Sequence, residues 1–450
     1  MNPITVKEIG RAVGFPTEDE HEIRLIETDS RMLTPGSMFV ALRGENFDGH
    51  DYVEAAFEKG ASYALVDHGD RQDKRLIFCE DTEQGFLDIA GWYRDQFSPK
   101  VVGVTGSVGK TTTKEMIASV LEAQFKTLKT EGNFNNRVGL PKTLFRLDES
   151  HEAAVIEMGM NQFGEISDLT RRAKPDIGVI TNIGVAHIEF LGSRDGILKA
   201  KTEIRDGMKE GSPLILCGDD DKLCAFRDDR FPVILYGIDN KEAQVRAENI
   251  REVKGHTIFH IVTKETSFET EIPTFGRHNV YNALAAYAVG KQFGMEDSVI
   301  AQALKNYVPS GMRQRVVEHH GFTVVEDCYN CGPDSLRAAT AAFGSMKCEG
   351  KKYMILGDML ELGEIADGAH YESGRFAVEK GIDAVYCCGP LSRNTWQGAV
   401  DAGGTAYHFD TKEELTKALL PHISAGDVLW FKASHSVGLE DVIKEIYKER

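Results

Sequence analysis

Several things are missing from this sequence. No run of about 18 uninterrupted apolar residues occurs, so nothing in it reads as a membrane-spanning helix. The N-terminus lacks a basic–apolar signal pattern, and the expectation is a cytoplasmic chain. Positive charge is in deficit. The 52 Lys and Arg against 70 Asp and Glu leave a formal net charge of −18. That excludes a general affinity for nucleic acid or anionic membrane. It does not exclude anionic substrates, because a local cluster of cations and N–H groups suffices and the wider field is screened within about 10 Å in salt. Cysteine is sparse, with 8 residues. Cys328 and Cys331 form a single C-x-x-C and Cys387-Cys388 are adjacent, but a zinc site needs two further ligands and no second pair is present. These cysteines read as ordinary thiols of a reducing compartment. Low-complexity segments and short repeats are absent, and no G-x-G-x-x-G follows a strand in the C-terminal third, so no dinucleotide site is indicated there.

What is present begins at residue 103. Gly103-Val104-Thr105-Gly106-Ser107-Val108-Gly109-Lys110-Thr111-Thr112-Thr113 follows the short apolar stretch Val101-Val102. A strand runs into a glycine-rich turn, and the turn opens a helix carrying Lys and Thr in its first turn. Backbone N–H groups at Gly106, Ser107, Val108 and Gly109 can face phosphate oxygens, and the helix N-terminus adds partial positive charge. Lys110 reaches the outer phosphates, and the hydroxyls of Thr111 and Thr112 sit where Thr111 can hold Mg²⁺. The full Walker pattern would have Gly at 104, where this chain has Val; the core from Gly106 to Thr112 is intact.

With 450 residues, two to four domains are expected. Residues 1–97 read as a small α/β unit ending near Pro99. Residues 98–309 alternate apolar strands (101–105, 153–158, 177–182, 213–217, 232–236) with helices (110–124, 164–172, 195–208). They predict a mainly parallel sheet with its ligand at the carboxyl ends of the strands. Alternation over 244–272 predicts hairpins, and helices over 278–292 and 296–306 close this region. Pro309-Ser310-Gly311 mark the next boundary. Residues 310–450 repeat the rhythm as a Rossmann-like lobe. The fold class is α/β, with three domains.

Polar clusters follow the apolar strands. Glu157 ends one strand and is a natural Mg²⁺ ligand, or else a plain loop carboxylate. His187 follows another strand exit, with metal and structural roles both open. Lys199 and Lys201 lie in a charged helical stretch that, by pattern alone, reads as a solvated face. Asn133-Phe134-Asn135-Asn136-Arg137 is a rich donor set for a polar ligand. Asn279 and Asn282, at i,i+3 on one helix, suit a purine edge or ribose.

In order along the chain, Gly106–Thr112, Glu157-Met158-Gly159-Met160-Asn161, His187, Gly276-Arg277-His278-Asn279-Val280-Tyr281-Asn282 and Gly357-Asp358-Met359-Leu360-Glu361-Leu362-Gly363 resemble the Mur ligases. These are ATP-dependent amide-forming enzymes of peptidoglycan precursor synthesis. The resemblance covers essentially the whole chain. It implies ATP and two Mg²⁺ ions, held by Thr111, Glu157, His187 and a carbamylated Lys201. It implies catalytic roles for Lys110, His187 and Lys201, and ATP contacts from Asn279, Asn282, Arg313 and Asp327. It places the UDP-sugar end of the substrate near Asp29, Ser30 and Arg31, with Asn135, Asn136 and Asn161 also binding substrate. The implied partners are small molecules, a UDP-N-acetylmuramoyl-tripeptide and D-alanyl-D-alanine, handled by a monomer. A sister ligase adding another amino acid, a folylpolyglutamate-type ligase and a non-catalytic P-loop module are the alternatives. The chain departs from the family in two places. Cysteines stand for small residues in Asp327-Cys328-Tyr329-Asn330-Cys331, and Lys432-Ala433-Ser434-His435 stands where Lys-Gly-Ser-Arg is usual.

Overall fold

The computed structural model describes every residue except Glu45, Lys254, Ser310, Glu361 and Arg450. Two of these fall in segments singled out above: Ser310 of the second boundary and Glu361 of the 357–363 motif lie outside the described residues. The chain divides into two compact units. One comprises Met1–Thr105, Gln124–Gly178 and Thr202–Pro213, the other Gly106–Ala123, Val179–Lys201 and Leu214–Arg450.

The first unit holds two groups of parallel strands. Ile26–Glu27, Ser37–Val40, Ala61–Val66 and Leu76–Phe78 pair in that order, all parallel. One face is closed by a cluster that includes Phe39, Ala64, Val66 and Phe78. Helix Thr82–Arg94 starts on the Asp81 side chain, which accepts the Gln84 N–H and relieves one unpaired donor of the first turn. The second group places Ala153–Glu157 between Thr127–Lys129 and Lys100–Thr105, again parallel. All five residues of Ala153–Glu157 are buried, as a strand covered on both faces requires. Within the unit, Tyr93 donates its hydroxyl hydrogen to Leu147 O at 2.8 Å and the Arg172 guanidinium meets Asp88 at 2.7 Å. These tie the helix before Pro99 to the segment after it.

In the second unit Leu214–Cys217, Val233–Gly237 and Val245–Val253 run parallel, and His256–Val262 and Ser267–Ile272 continue antiparallel. The hairpins expected over 244–272 are these last three strands. Helix Lys110–Glu122 packs on helix Arg277–Gln292. The C-terminal sheet has the order Arg315–His319, Phe322–Glu326, Val428–Lys432, Lys352–Gly357, Ala384–Cys388, Ala406–Phe409, antiparallel in the first pair and parallel in the rest. Side-chain alternation along Val428–Lys432 builds both cores. Val428 and Trp430 pack on one face, Leu429 and Phe431 on the other.

The helix expected over 195–208 is two pieces, an α-helix Arg194–Lys201 and a 3₁₀ stretch Thr202–Gly207. Its second piece winds more tightly, at about three residues per turn.

Candidate active site

The strand Lys100–Thr105 delivers the chain to the glycine-rich turn. Gly109 caps the following helix in the left-handed region, at φ +83°. At Gly106 a Cβ would come within 1.8 Å of Thr181 Oγ1, so the turn closes only on glycine. The segment after strand Ile177–Ile180 braces the turn. Thr181 Oγ1 and Asn182 Nδ2 both donate to Val108 O, at 2.6 and 2.9 Å. The Val108 N–H donates to Asn182 Oδ1 at 2.9 Å, and Ser107 N–H to Asn182 O at 3.1 Å. The Gly184 N–H donates to Ser107 Oγ at 2.9 Å. Thr181 and Asn182 thus brace the turn, and the only signal of this in the sequence is a polar pair placed directly after a buried strand. Lys110 folds back over the turn and donates from Nζ to Gly106 O at 2.9 Å. Thr111, in the first helical turn, is buried.

His187 and Lys201 are coupled electrostatically to Lys110 of this cluster. His187 heads the short helix Ile188–Leu191 with φ +62°, an uncommon conformation for a residue with a side chain. Burial pushes its imidazole down to about 4, and the charges of Lys110 and Lys201 reinforce the shift. Lys201 ends helix Arg194–Lys201 and is 1% exposed. Among the described residues no ion pair of Lys201 is found. Burial, with the Lys110 charge beside it, drives its ammonium well below the ordinary lysine range. The solvated face expected from the local pattern is therefore wrong for Lys201 and right for Lys199, which is exposed. The two lie two residues apart and so on different sides of the helix.

The same unit carries the remaining nucleotide candidates. Asn279 and Asn282 are buried and face the P-loop helix: Thr113 Oγ1 donates to Asn282 Oδ1 at 2.9 Å, and Asn282 Nδ2 donates to Asn279 Oδ1 at 3.1 Å. The Arg313 guanidinium lies 4.2 Å over the Tyr329 ring, and His435 stacks on the same tyrosine at 5.4 Å. Asp327 Oδ2 accepts from Lys432 Nζ at 2.9 Å and from Trp430 Nε1 at 3.3 Å, all buried. Cys328 and Cys331 are free and buried, and burial pushes both thiols up to about 12, so neither is a nucleophile at neutral pH.

The first unit holds the other candidates. Glu157 closes its strand with 2% exposure. Its N–H donates to Thr130 Oγ1 at 3.0 Å, and its Oε1 accepts from Asn135 Nδ2 at 2.8 Å. Asn136 uses its oxygen locally, accepting the Gly139 N–H at 2.8 Å, while Asn161 is exposed. Asp29, Ser30 and Arg31 follow strand Ile26–Glu27, at the carboxyl end of the first parallel sheet. Arg31 pairs with Asp29 at 2.7 Å through its guanidinium, which holds the Asp29 carboxyl well below the usual range.

Comparison with known proteins follows the same plan. The Mur ligase family, catalytic domain, matches residues 22–91; the Mur ligase middle domain matches 104–290; and the Mur ligase, glutamate ligase domain, matches 312–435. The chain is 38% identical to the UDP-N-acetylmuramoyl-tripeptide--D-alanyl-D-alanine ligase of Bacillus subtilis, covering 98% of both sequences. Among solved structures, crystal structure I of MurF from Acinetobacter baumannii superposes with a TM-score of 0.92 at 29% identity, covering 100% of this chain and 99% of that one. MurF ligase from Thermotoga maritima in complex with ADP gives 0.85 at 29% identity, over 95% and 97%. A P-loop braced by the next strand's exit, a buried lysine beside it and matches running the length of the chain converge on one assignment: the chain belongs to the Mur ligase family.

Proposed function

We propose that the protein joins D-alanyl-D-alanine to a UDP-N-acetylmuramoyl-tripeptide at the expense of ATP, releasing ADP and phosphate. The observation that carries the ligase reading is Lys201, a fully desolvated lysine beside Lys110 and a neutral His187. The choice of substrates is supported by the end-to-end likeness to ligases bearing that name.

The chemistry follows from the weakness of a carboxylate as an electrophile. Its charge repels a nucleophile and oxide leaves badly. Transfer of the γ-phosphoryl group of ATP to the tripeptide's terminal carboxylate makes an acyl phosphate. The dipeptide amine then attacks the carbonyl carbon, phosphate departs with the bonding pair, and the amine loses a proton. Lys110 and the P-loop N–H groups neutralise charge on the transferring phosphoryl group, where enzymes of this type gain most. In this reading two Mg²⁺ ions would draw on the hard oxygens of Thr111 and Glu157 and on His187, which is uncharged at neutral pH and so able to ligate. Lys201 fits a carbamate, since only a neutral amine adds to CO₂ and this ammonium is strongly disfavoured. When bound, the metal ions would screen the phosphate charge during transfer. In this reading residues 1–97 hold the UDP-sugar end, 98–309 bind Mg-ATP and 310–450 bring the incoming amine, with Asn279, Asn282, Arg313 and Asp327 on the nucleotide. Asp29, Ser30, Arg31, Asn135, Asn136 and Asn161 serve the precursor.

The test is phosphate release that requires both substrates together. Release with the UDP-tripeptide and another amino acid would make the chain a sister ligase. No phosphate release under any of these conditions would leave a nucleotide-binding module.

A further inference from the structure

Gln314 stands just before strand Arg315–His319, at the start of the C-terminal sheet. It is 8% exposed and holds φ +53°, a left-handed backbone that a glutamine adopts only under constraint. Its amide supplies that constraint. Asn279 Nδ2 donates to Gln314 Oε1 at 2.8 Å and also to Phe275 O at 2.9 Å. With Oε1 thus an acceptor, Gln314 Nε2 is the donor to His278 Nε2 at 2.7 Å, which places the imidazole proton on Nδ1. Asn279 Oδ1 in turn accepts from Asn282, whose own oxygen accepts from Thr113 on the P-loop helix. A buried chain of polar groups therefore runs from the P-loop helix to the residue that precedes the first strand of the C-terminal sheet. Such a chain fixes every amide in one orientation, because reversing any one leaves buried groups unpaired.

We infer that Gln314 is a positioning residue for the nucleotide. It sets which edge of the Asn279 amide faces ATP, and it makes that orientation depend on the C-terminal lobe's chain being in place. Gln314 need not touch the nucleotide; it acts through Asn279. The inference rests on the reading of Asn279 as a nucleotide contact.

Gln314→Ala in the full-length enzyme is the test, since alanine bears a similar backbone penalty at this φ and the change isolates the amide. The Kd for Mg-ADP by calorimetry and the KM for ATP are expected to rise about tenfold, as for a lost buried hydrogen bond. kcat and the KM values of the other two substrates should stay within about twofold. In a double-mutant cycle, adding Gln314→Ala to Asn279→Ala should weaken Mg-ADP no further. Gln314→Met, of equal length, replaces the alanine variant if that one fails to fold, and His278→Ala should reproduce a smaller part of the shift. An unchanged Kd in a folded variant, or losses that add in the cycle, would overturn the inference. A lower melting temperature with no change in ADP affinity would make Gln314 structural only. If Asn279→Ala and Lys110→Ala both bind ADP normally, the nucleotide reading falls instead.

Discussion

Lys201 and Lys432 are both almost fully buried, at 1% and 4% exposure, and they behave in opposite ways. Lys432 lies 2.9 Å from Asp327 and donates as well to Asn330 O. Burial works hardest against its ammonium, but the charge and hydrogen bond of Asp327, with Cys331 beside it, together outweigh burial, and Lys432 titrates above the ordinary lysine range. Lys201 has the Lys110 charge for company, and its ammonium is driven far down. Burial alone therefore does not decide what a lysine is for. The partner does. One of these lysines is a charged structural group that anchors the loop after strand Phe322–Glu326. The other is an amine whose charged form burial disfavours, suited to chemistry that ammonium cannot do.

The sharpest way to break this contrast is to remove the amines. Lys201→Ala should lose at least about 10³-fold in kcat, as expected when a group central to charge stabilisation disappears. Added acetate or formate should partly restore turnover, because the proposed carbamate is an anion that a small carboxylate imitates. A fully active variant would remove Lys201 from the site. Lys110→Ala should cost about 10²-fold or more in kcat with an unchanged circular dichroism spectrum. Near wild-type turnover there would dismiss the P-loop lysine.

Stability should separate the two lysines in the other direction. Lys432→Met leaves Asp327 buried without its cation and should destabilise by about 3–5 kcal/mol in denaturant titration. Lys201→Met strands no partner and should leave the melting temperature unchanged or higher while activity is lost. Equal melting temperatures for the two variants would show that the Asp327 pair contributes nothing.

The smallest effect is in pH. The Lys432 pKa is raised in the folded protein, so the stability it lends is fully present below the unfolded value of about 10.5. That stability is lost as pH rises through the higher folded value. The alkaline limb of the stability profile, measured by melting temperature, should therefore be shallower in Lys432→Met than in the wild type.

Much of this was legible in the residues. The P-loop could be read because its function depends on local backbone geometry: glycines at 106 and 109, then Lys110 and Thr111, over one strand-to-helix turn. Buried strands such as Ala153–Glu157 and Val428–Lys432 announced themselves as apolar runs, because both faces are covered. Short strands did not. Arg315–His319 and Ala406–Phe409 end their sheet and pair on one side only, and their mixed polar sequences carry no clear period.

What the sequence by itself determined, then, is the order of α/β elements, the phosphate cradle and the sites where polar residues leave buried strands. These depend on residues adjacent in the chain, where propensity, periodicity and turn chemistry act. Only the tertiary structure decided that Lys201 is stripped of water while Lys199 is not. It alone showed that Asp327 meets Lys432 across 105 positions and that Gln314 reaches back 35 positions to Asn279. Desolvation and charge pairing are properties of a three-dimensional environment, and no local pattern of residues encodes how much water a side chain will lose.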